Sequence, residues 1–111
     1  MNDNGTLSIE RSRIDETEVL TLWGDLDLTS AESLATALEA TEAAKVILDM
    51  NEVNFIDSAG MRTVDHARRD LAGGRRLLIV ARTDSSAAWA FRVAGYEDEL
   101  IVPSLDEAIR D

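Results

Sequence analysis

The run Asp57-Ser58-Ala59-Gly60-Met61 concentrates the groups with the clearest chemical use. It sits where a strand-to-helix loop hands over to a helix, and a helix N-terminus offers unbonded N–H groups and the positive end of the helix dipole. A phosphate on Ser58 would meet donors already aimed at it. Spacing alone also admits a purely local role, because serine is a preferred N-cap whose hydroxyl can satisfy an open amide. Gly60, in the first turn, costs about 1 kcal/mol of helix propensity relative to alanine. Its missing side chain would either let a partner's backbone approach or relieve crowding against the sheet.

Two catalytic arrangements compete with this reading. A serine hydrolase needs a base within hydrogen-bond reach of its nucleophile. The single histidine, His66, lies eight residues after Ser58, about 12 Å along a helix axis, and no Gly-x-Ser-x-Gly is present. His66 therefore reads as a surface or boundary residue. The second arrangement is Asp25-Leu26-Asp27-Leu28-Thr29, which resembles the Asp-x-Asp-x-Thr opening of haloacid-dehalogenase-type phosphatases, where the aspartate pair holds Mg²⁺. Such enzymes also need a lysine near the phosphate, and the sole lysine, Lys45, opens a strand instead. A Mg-dependent phosphatase using Asp25 and Asp27 is the remote alternative. With no cysteine and one histidine, neither a thiolate site nor a histidine cluster can form; with both catalytic arrangements incomplete, an adaptor rather than an enzyme is expected, with no metal or cofactor.

The surrounding elements follow from periodicity. Leu7 and Ile9, then Val19 to Trp23 after the polar turn Asp15-Glu16-Thr17, read as a hairpin whose second strand closes at Gly24. Thr29-Ser30-Ala31-Glu32 matches a capping box and predicts a helix from about Ser30 to Ala40 with Leu34 and Leu38 buried. Val46 to Met50 has the apolar run of a central strand covered on both faces. After a loop from Asn51 to Asp57, a helix is predicted over 58–72, with Val64, Ala67 and Leu71 inward and Gly73-Gly74 as its stop. Leu77 to Ala81 is a second buried strand, and Asp84 to Ala94 a helix with Ala87, Ala88, Phe91 and Ala94 available for burial. Leu100 to Val102 is a short edge strand, and Ser104 caps a last helix. The order is β-β-α-β-α-β-α-β-α: an α/β fold, a mixed sheet of an N-terminal hairpin plus parallel strands covered by about four helices, forming one domain over 1–111. Whether the helices cover one face or both stays open at this level.

On the second helix Ser58, Arg62, Asp65 and Arg69 share one polar stripe opposite the buried face, with Met61 at its border as an apolar anchor for a partner. Five of the ten arginines, Arg62, Arg68, Arg69, Arg75 and Arg76, fall between 62 and 76. Interleaved Asp65 and Asp70 favour solvated helix-face pairs over a docking surface. Trp23 and Trp89 read as core or boundary residues.

The chain has 111 residues, of which 45% are hydrophobic, with 11 Lys+Arg against 22 Asp+Glu and a net charge of −11. This surplus of acid argues against direct binding to DNA or an anionic membrane, both of which recruit clustered cations. Met1 to Glu10 has neither the basic nor the apolar region of a signal peptide, and no run is long enough to span a bilayer, so a cytoplasmic protein is expected.

The stretch around Ser58 resembles the signature of the STAS domain family, and of its bacterial anti-sigma factor antagonists in particular. The shared features are a strand carrying Asp49, a loop with Phe55-Ile56, and Asp57-Ser58-Ala59-Gly60-Met61. Upstream, Gly24-Asp25-Leu26-Asp27 before Thr29 to Leu34 matches a second family pattern, and Phe91-Arg92-Val93-Ala94-Gly95 is similar to a third. The resemblance implies a switch. The unphosphorylated antagonist would bind an anti-sigma factor that is also a GHKL-type serine kinase, releasing its sigma factor. Phosphorylation at Ser58 would end binding, and a PP2C-type phosphatase would restore it. Asp25, Asp27, Asp57, Ser58, Gly60, Met61 and Arg62 would form the partner-binding surface. Ala59 stands where relatives often have a hydroxyl residue, and Arg62 where glycine is common. Arg62 is expected to pair i,i+4 with a phosphoserine. The alternative within the same fold is a non-switching STAS scaffold in a stress-signalling or transporter-associated complex.

Overall fold

The computed structural model describes residues 7–71, 74–97 and 100–111. β1 (Leu7–Ile14) and β2 (Thr17–Leu26) form the antiparallel hairpin. Asp15, with φ of 55°, takes the left-handed conformation that aspartate tolerates at a tight turn. Then follow α1 (Ala31–Glu39), β3 (Lys45–Ile56), α2 (Ser58–Asp70), β4 (Arg76–Val80), α3 (Ser86–Val93), β5 (Ile101–Val102) and α4 (Leu105–Arg110). The five strands lie in chain order across one sheet, with β2 to β5 parallel.

Alternation along the strands decides which helix covers which face. Leu20 and Leu22 of β2, Val46, Leu48 and Met50 of β3, and Leu77 and Ile79 of β4 point to one side, where Leu34, Leu38, Val64, Ala87, Ala88 and Phe91 of α1 to α3 meet them. Val19, Ile47, Leu78 and Val80 point to the other, where Ala108 of α4 packs, flanked by Leu105 and Ile109. Helices thus cover both faces, three against one. Each buried Leu or Ile contributes about 1.5–3 kcal/mol, so the three-helix side carries most of the cohesion.

Several boundaries differ from expectation. β2 does not stop at Gly24: this glycine, with φ of 106°, sits at a register irregularity against β3, and the strand runs on to Leu26. β3 absorbs the expected loop, because Glu52, Val53, Phe55 and Ile56 continue to pair with Trp23 to Leu26 at the end of β2, with Asn51 and Asn54 at the two register irregularities. The Thr29 capping box does not form. Instead Asp27 Oδ1 accepts from the backbone N–H groups of Thr29 and Ser30 and from the Thr29 hydroxyl, at 3.1, 3.2 and 2.8 Å, and α1 begins after Ser30. α3 starts at Ser86 behind the Ser85 cap, Ala94 is exposed, and Trp89 is 66% exposed rather than core. α2 ends at Asp70, β4 at Val80, and Leu100 precedes β5 rather than joining it. Ala72 and the Gly73 half of the predicted stop lie outside the described residues. Among the described residues no helix is long and apolar enough to cross a membrane.

Candidate functional site

Two loops at the C-terminal ends of β2 and β3 meet at Asp57. Asp57 is the N-cap of α2: its Oδ1 accepts from Gly60 N–H at 3.0 Å, a cap contributing about 1 kcal/mol. The other carboxylate oxygen accepts from Leu28 N–H at 3.3 Å, and Asp57 N–H donates to the Leu26 carbonyl at 3.1 Å. One side chain therefore ties the β2–α1 loop to the start of α2. Ser58 is not the cap; it is the first helical residue, and it is exposed. Among the described residues its hydroxyl has no hydrogen-bond partner, so it is held in position by the backbone and left chemically free.

Gly60 is buried, and its role is steric. A Cβ there would lie 2.6 Å from the Leu26 carbonyl oxygen and 2.7 Å from Leu26 Cγ. Of the two reasons weighed for this glycine, close approach of α2 to the sheet is the one observed. Met61 is half-buried and packs against the larger core, bordering the site from below.

Asp25 and Asp27 flank the site on the β2 side. Ser30 Oγ donates to the Asp25 carbonyl at 2.8 Å and accepts from Asp27 N–H at 3.0 Å, which sets the loop's shape. The Thr29 hydroxyl, followed by the Ser30 groups, holds the Asp27 carboxyl below its usual pKa range. A carboxylate so engaged is poorly placed as a nucleophile or metal ligand. Asp25 is also in register with Phe55, ten residues along β3 from Lys45, about 30 Å at strand rise. The phosphatase arrangement is not assembled. Nor is the hydrolase: His66 lines a groove between α1 and α2 with Glu39 and Thr41, whereas Ser58 opens onto a different one.

Ser58, Met61, Arg62, Asp65, Arg69 and Tyr96 line that second groove, of about 520 Å³. Asp65 organises it. Arg68 donates to Asp65 Oδ1 at 2.9 Å, Arg69 pairs with Oδ2 at 3.0 Å, and Tyr96 OH lies 3.4 Å from Oδ1. Arg68 also stands 5.3 Å over the Tyr96 ring. The hydrogen bond from Arg68 leads the causes that hold the Asp65 carboxyl below its ordinary pKa. Two further members of the arginine cluster are structural: Arg75 donates to the carbonyls of Ala43 and Thr41, and Arg76 pairs with Asp111 at 2.8 Å. Arg62 is exposed and has no partner among the described residues.

Two apolar residues at the rim, Leu28 and Phe55, were not among the expected partner-binding residues, although Phe55 belongs to the STAS-like motif. Leu28 is 74% and Phe55 53% exposed. Leu28 stands alone between polar Asp27 and Thr29, and an isolated apolar residue was the available signal there; Phe55 adjoins Ile56 and carries no such mark.

The profile of the STAS domain matches residues 8–108. No curated protein sequence matches the chain. In fold it is similar to an anti-sigma factor antagonist from Mycobacterium paratuberculosis, at 20% identity and a TM-score of 0.86 over 100% of both chains. The phosphorylated form of the Bacillus cell fate determinant SpoIIAA is similar at 23% identity and a TM-score of 0.71, over 93% of this chain and 97% of that one. A sulfate transporter family protein from Wolinella succinogenes shares the fold at 20% identity and a TM-score of 0.71, over 89% and 86%. With the match spanning nearly the whole length, the chain belongs to the STAS domain family.

Proposed function

We propose that this chain is a cytoplasmic, non-enzymatic anti-sigma factor antagonist controlled by phosphorylation of Ser58. In this reading the unphosphorylated protein binds an anti-sigma factor bearing a GHKL-type serine kinase domain and displaces the sigma factor. The surface used combines Asp25, Asp27, Asp57, Ser58, Met61 and Arg62 with the apolar rim of Leu28 and Phe55, while Gly60 supports it from beneath. The observation that carries the proposal is the division of labour at the α2 N-terminus, where Asp57 caps the helix and leaves the exposed Ser58 hydroxyl unbonded.

The kinase would transfer the γ-phosphoryl group of ATP to Ser58 Oγ, which loses its proton as ADP departs. The product carries about 1.5 to 2 additional negative charges at pH 7. Desolvating that charge at an interface beside Asp57 costs several kcal/mol, about a hundredfold or more in affinity. A PP2C-type phosphatase would reverse the step. Incubation with the anti-sigma kinase and ATP, followed by mass-spectrometric mapping, tests the reading: phosphate on Ser58, and none on the Ser58→Ala chain, is expected. No phosphate would leave the non-switching scaffold, which the fold shared with a transporter family protein also accommodates.

A further inference from the structure

Resting on the reading of Ser58 as a phosphorylation site, we infer that Arg62 is an intramolecular clamp for the phosphoserine. The two residues stand one turn apart on α2, both exposed, and line the same groove. An anion N-terminal to a cation at i,i+4 is the favourable orientation of such a pair. The competing cations of the groove are committed: Arg69 to Asp65 Oδ2 at 3.0 Å, and Arg68 to Asp65 Oδ1 at 2.9 Å and to the Tyr96 face. Of the amides in the first turn, those of Ser58 and Ala59 have no acceptor among the described residues, but the next is committed. Gly60 N–H is held by Asp57 Oδ1 at 3.0 Å, so the amide cradle expected from the sequence is already partly filled by a carboxylate.

The charged groups around the phosphate would otherwise oppose it. Asp57 adjoins it in sequence, Asp25 and Asp27 lie across the tethered loop, and Asp65 and Glu97 belong to the groove. Each favours the less charged phosphate. Arg62 answers them, covering part of the new charge while leaving the Asp65 network intact.

The test uses the full chain with phosphoserine installed co-translationally at position 58, followed by ³¹P NMR titration. The phosphate pKa is expected to rise by about 0.4 pH unit in Arg62→Ala and to be largely retained by Arg62→Lys. In the parent phosphoprotein the Arg62 Nε–H resonance should move downfield with phosphate ionisation, while that of Arg69 stays still. An unchanged titration in Arg62→Ala, or an Arg62 resonance that does not follow it, overturns the clamp. Because no kinase is involved, this result is independent of whether Ser58 is a kinase substrate. A kinase that ignores Ser58 would defeat the functional reading without altering the titration.

Discussion

Replacing Gly60 by alanine sets two physical effects against each other. Helix propensity alone favours alanine by up to about 1 kcal/mol, and by less in a first turn. Packing opposes it, because the new Cβ would meet the Leu26 carbonyl oxygen at 2.6 Å, Leu26 Cγ at 2.7 Å and Ile56 Cγ1 at 3.2 Å. The side-chain contacts can yield by small rotations, but the carbonyl cannot easily retreat. It belongs to a strand residue paired with Ile56 and accepts the Asp57 N–H at 3.1 Å. Overpacking of this kind costs about 1–3 kcal/mol, which leaves a net loss of about 1–2 kcal/mol and a fall in Tm of about 6 °C. Urea unfolding followed by circular dichroism reads the difference directly. A Gly60→Ala chain that unfolds at the same or a higher urea concentration would refute the steric account and return this glycine to the partner interface.

Asp57→Ala removes both the α2 cap and the Leu28 tether, and denaturant unfolding should show a loss of about 1–2 kcal/mol that Asp57→Asn restores only in part, because its one amide oxygen can cap α2 while its NH2 cannot accept from Leu28 N–H. Glu18 gives a pH signature. Burial works against its charge, yet hydrogen bonds from Thr41 and Arg11 and the nearby Arg11 and Arg13 charges outweigh it and lower its pKa from 4.5. A carboxylate with a lowered pKa adds stability that is present above its unfolded pKa and lost as pH falls through the folded one. Stability of Glu18→Gln, measured by unfolding from pH 7 to pH 3, should therefore be lower at neutral pH and fall less steeply below about pH 4.5. Ser58→Ala should unfold within about 0.5 kcal/mol of the parent chain, as an exposed, unbonded side chain implies.

The element order was legible because buried strands of Val, Ile and Leu alternate with 3.6-residue periods, and the structure keeps all nine elements. What misled was local competition among polar residues. Asn51, Glu52 and Asn54 look like a loop, but the extended backbone beside the end of β2 keeps its ladder through Glu52, Val53, Phe55 and Ile56, and the two asparagines fall at the irregularities between those pairs. At α1, Thr29 and Glu32 satisfy the capping-box pattern, yet Asp27, two residues earlier, takes the Thr29 amide that Glu32 would have reached, together with that of Ser30. At α2, adjacent Asp57 and Ser58 are equally good caps by preference, and only the three-dimensional reach to Leu28 favours the aspartate. Asp57 and Ser58 stood out by motif, whereas which of the two is left with an unbonded side chain depends on that choice of cap. Coverage of both sheet faces hangs on α4, whose six residues are too few to announce a face by periodicity.

The central claim is tested most directly by calorimetric titration of the anti-sigma kinase with this chain, unphosphorylated and phosphorylated at Ser58. The account predicts tight binding of the first form and binding weaker by about a hundredfold or more for the second. Equal affinities, within about threefold, would contradict it.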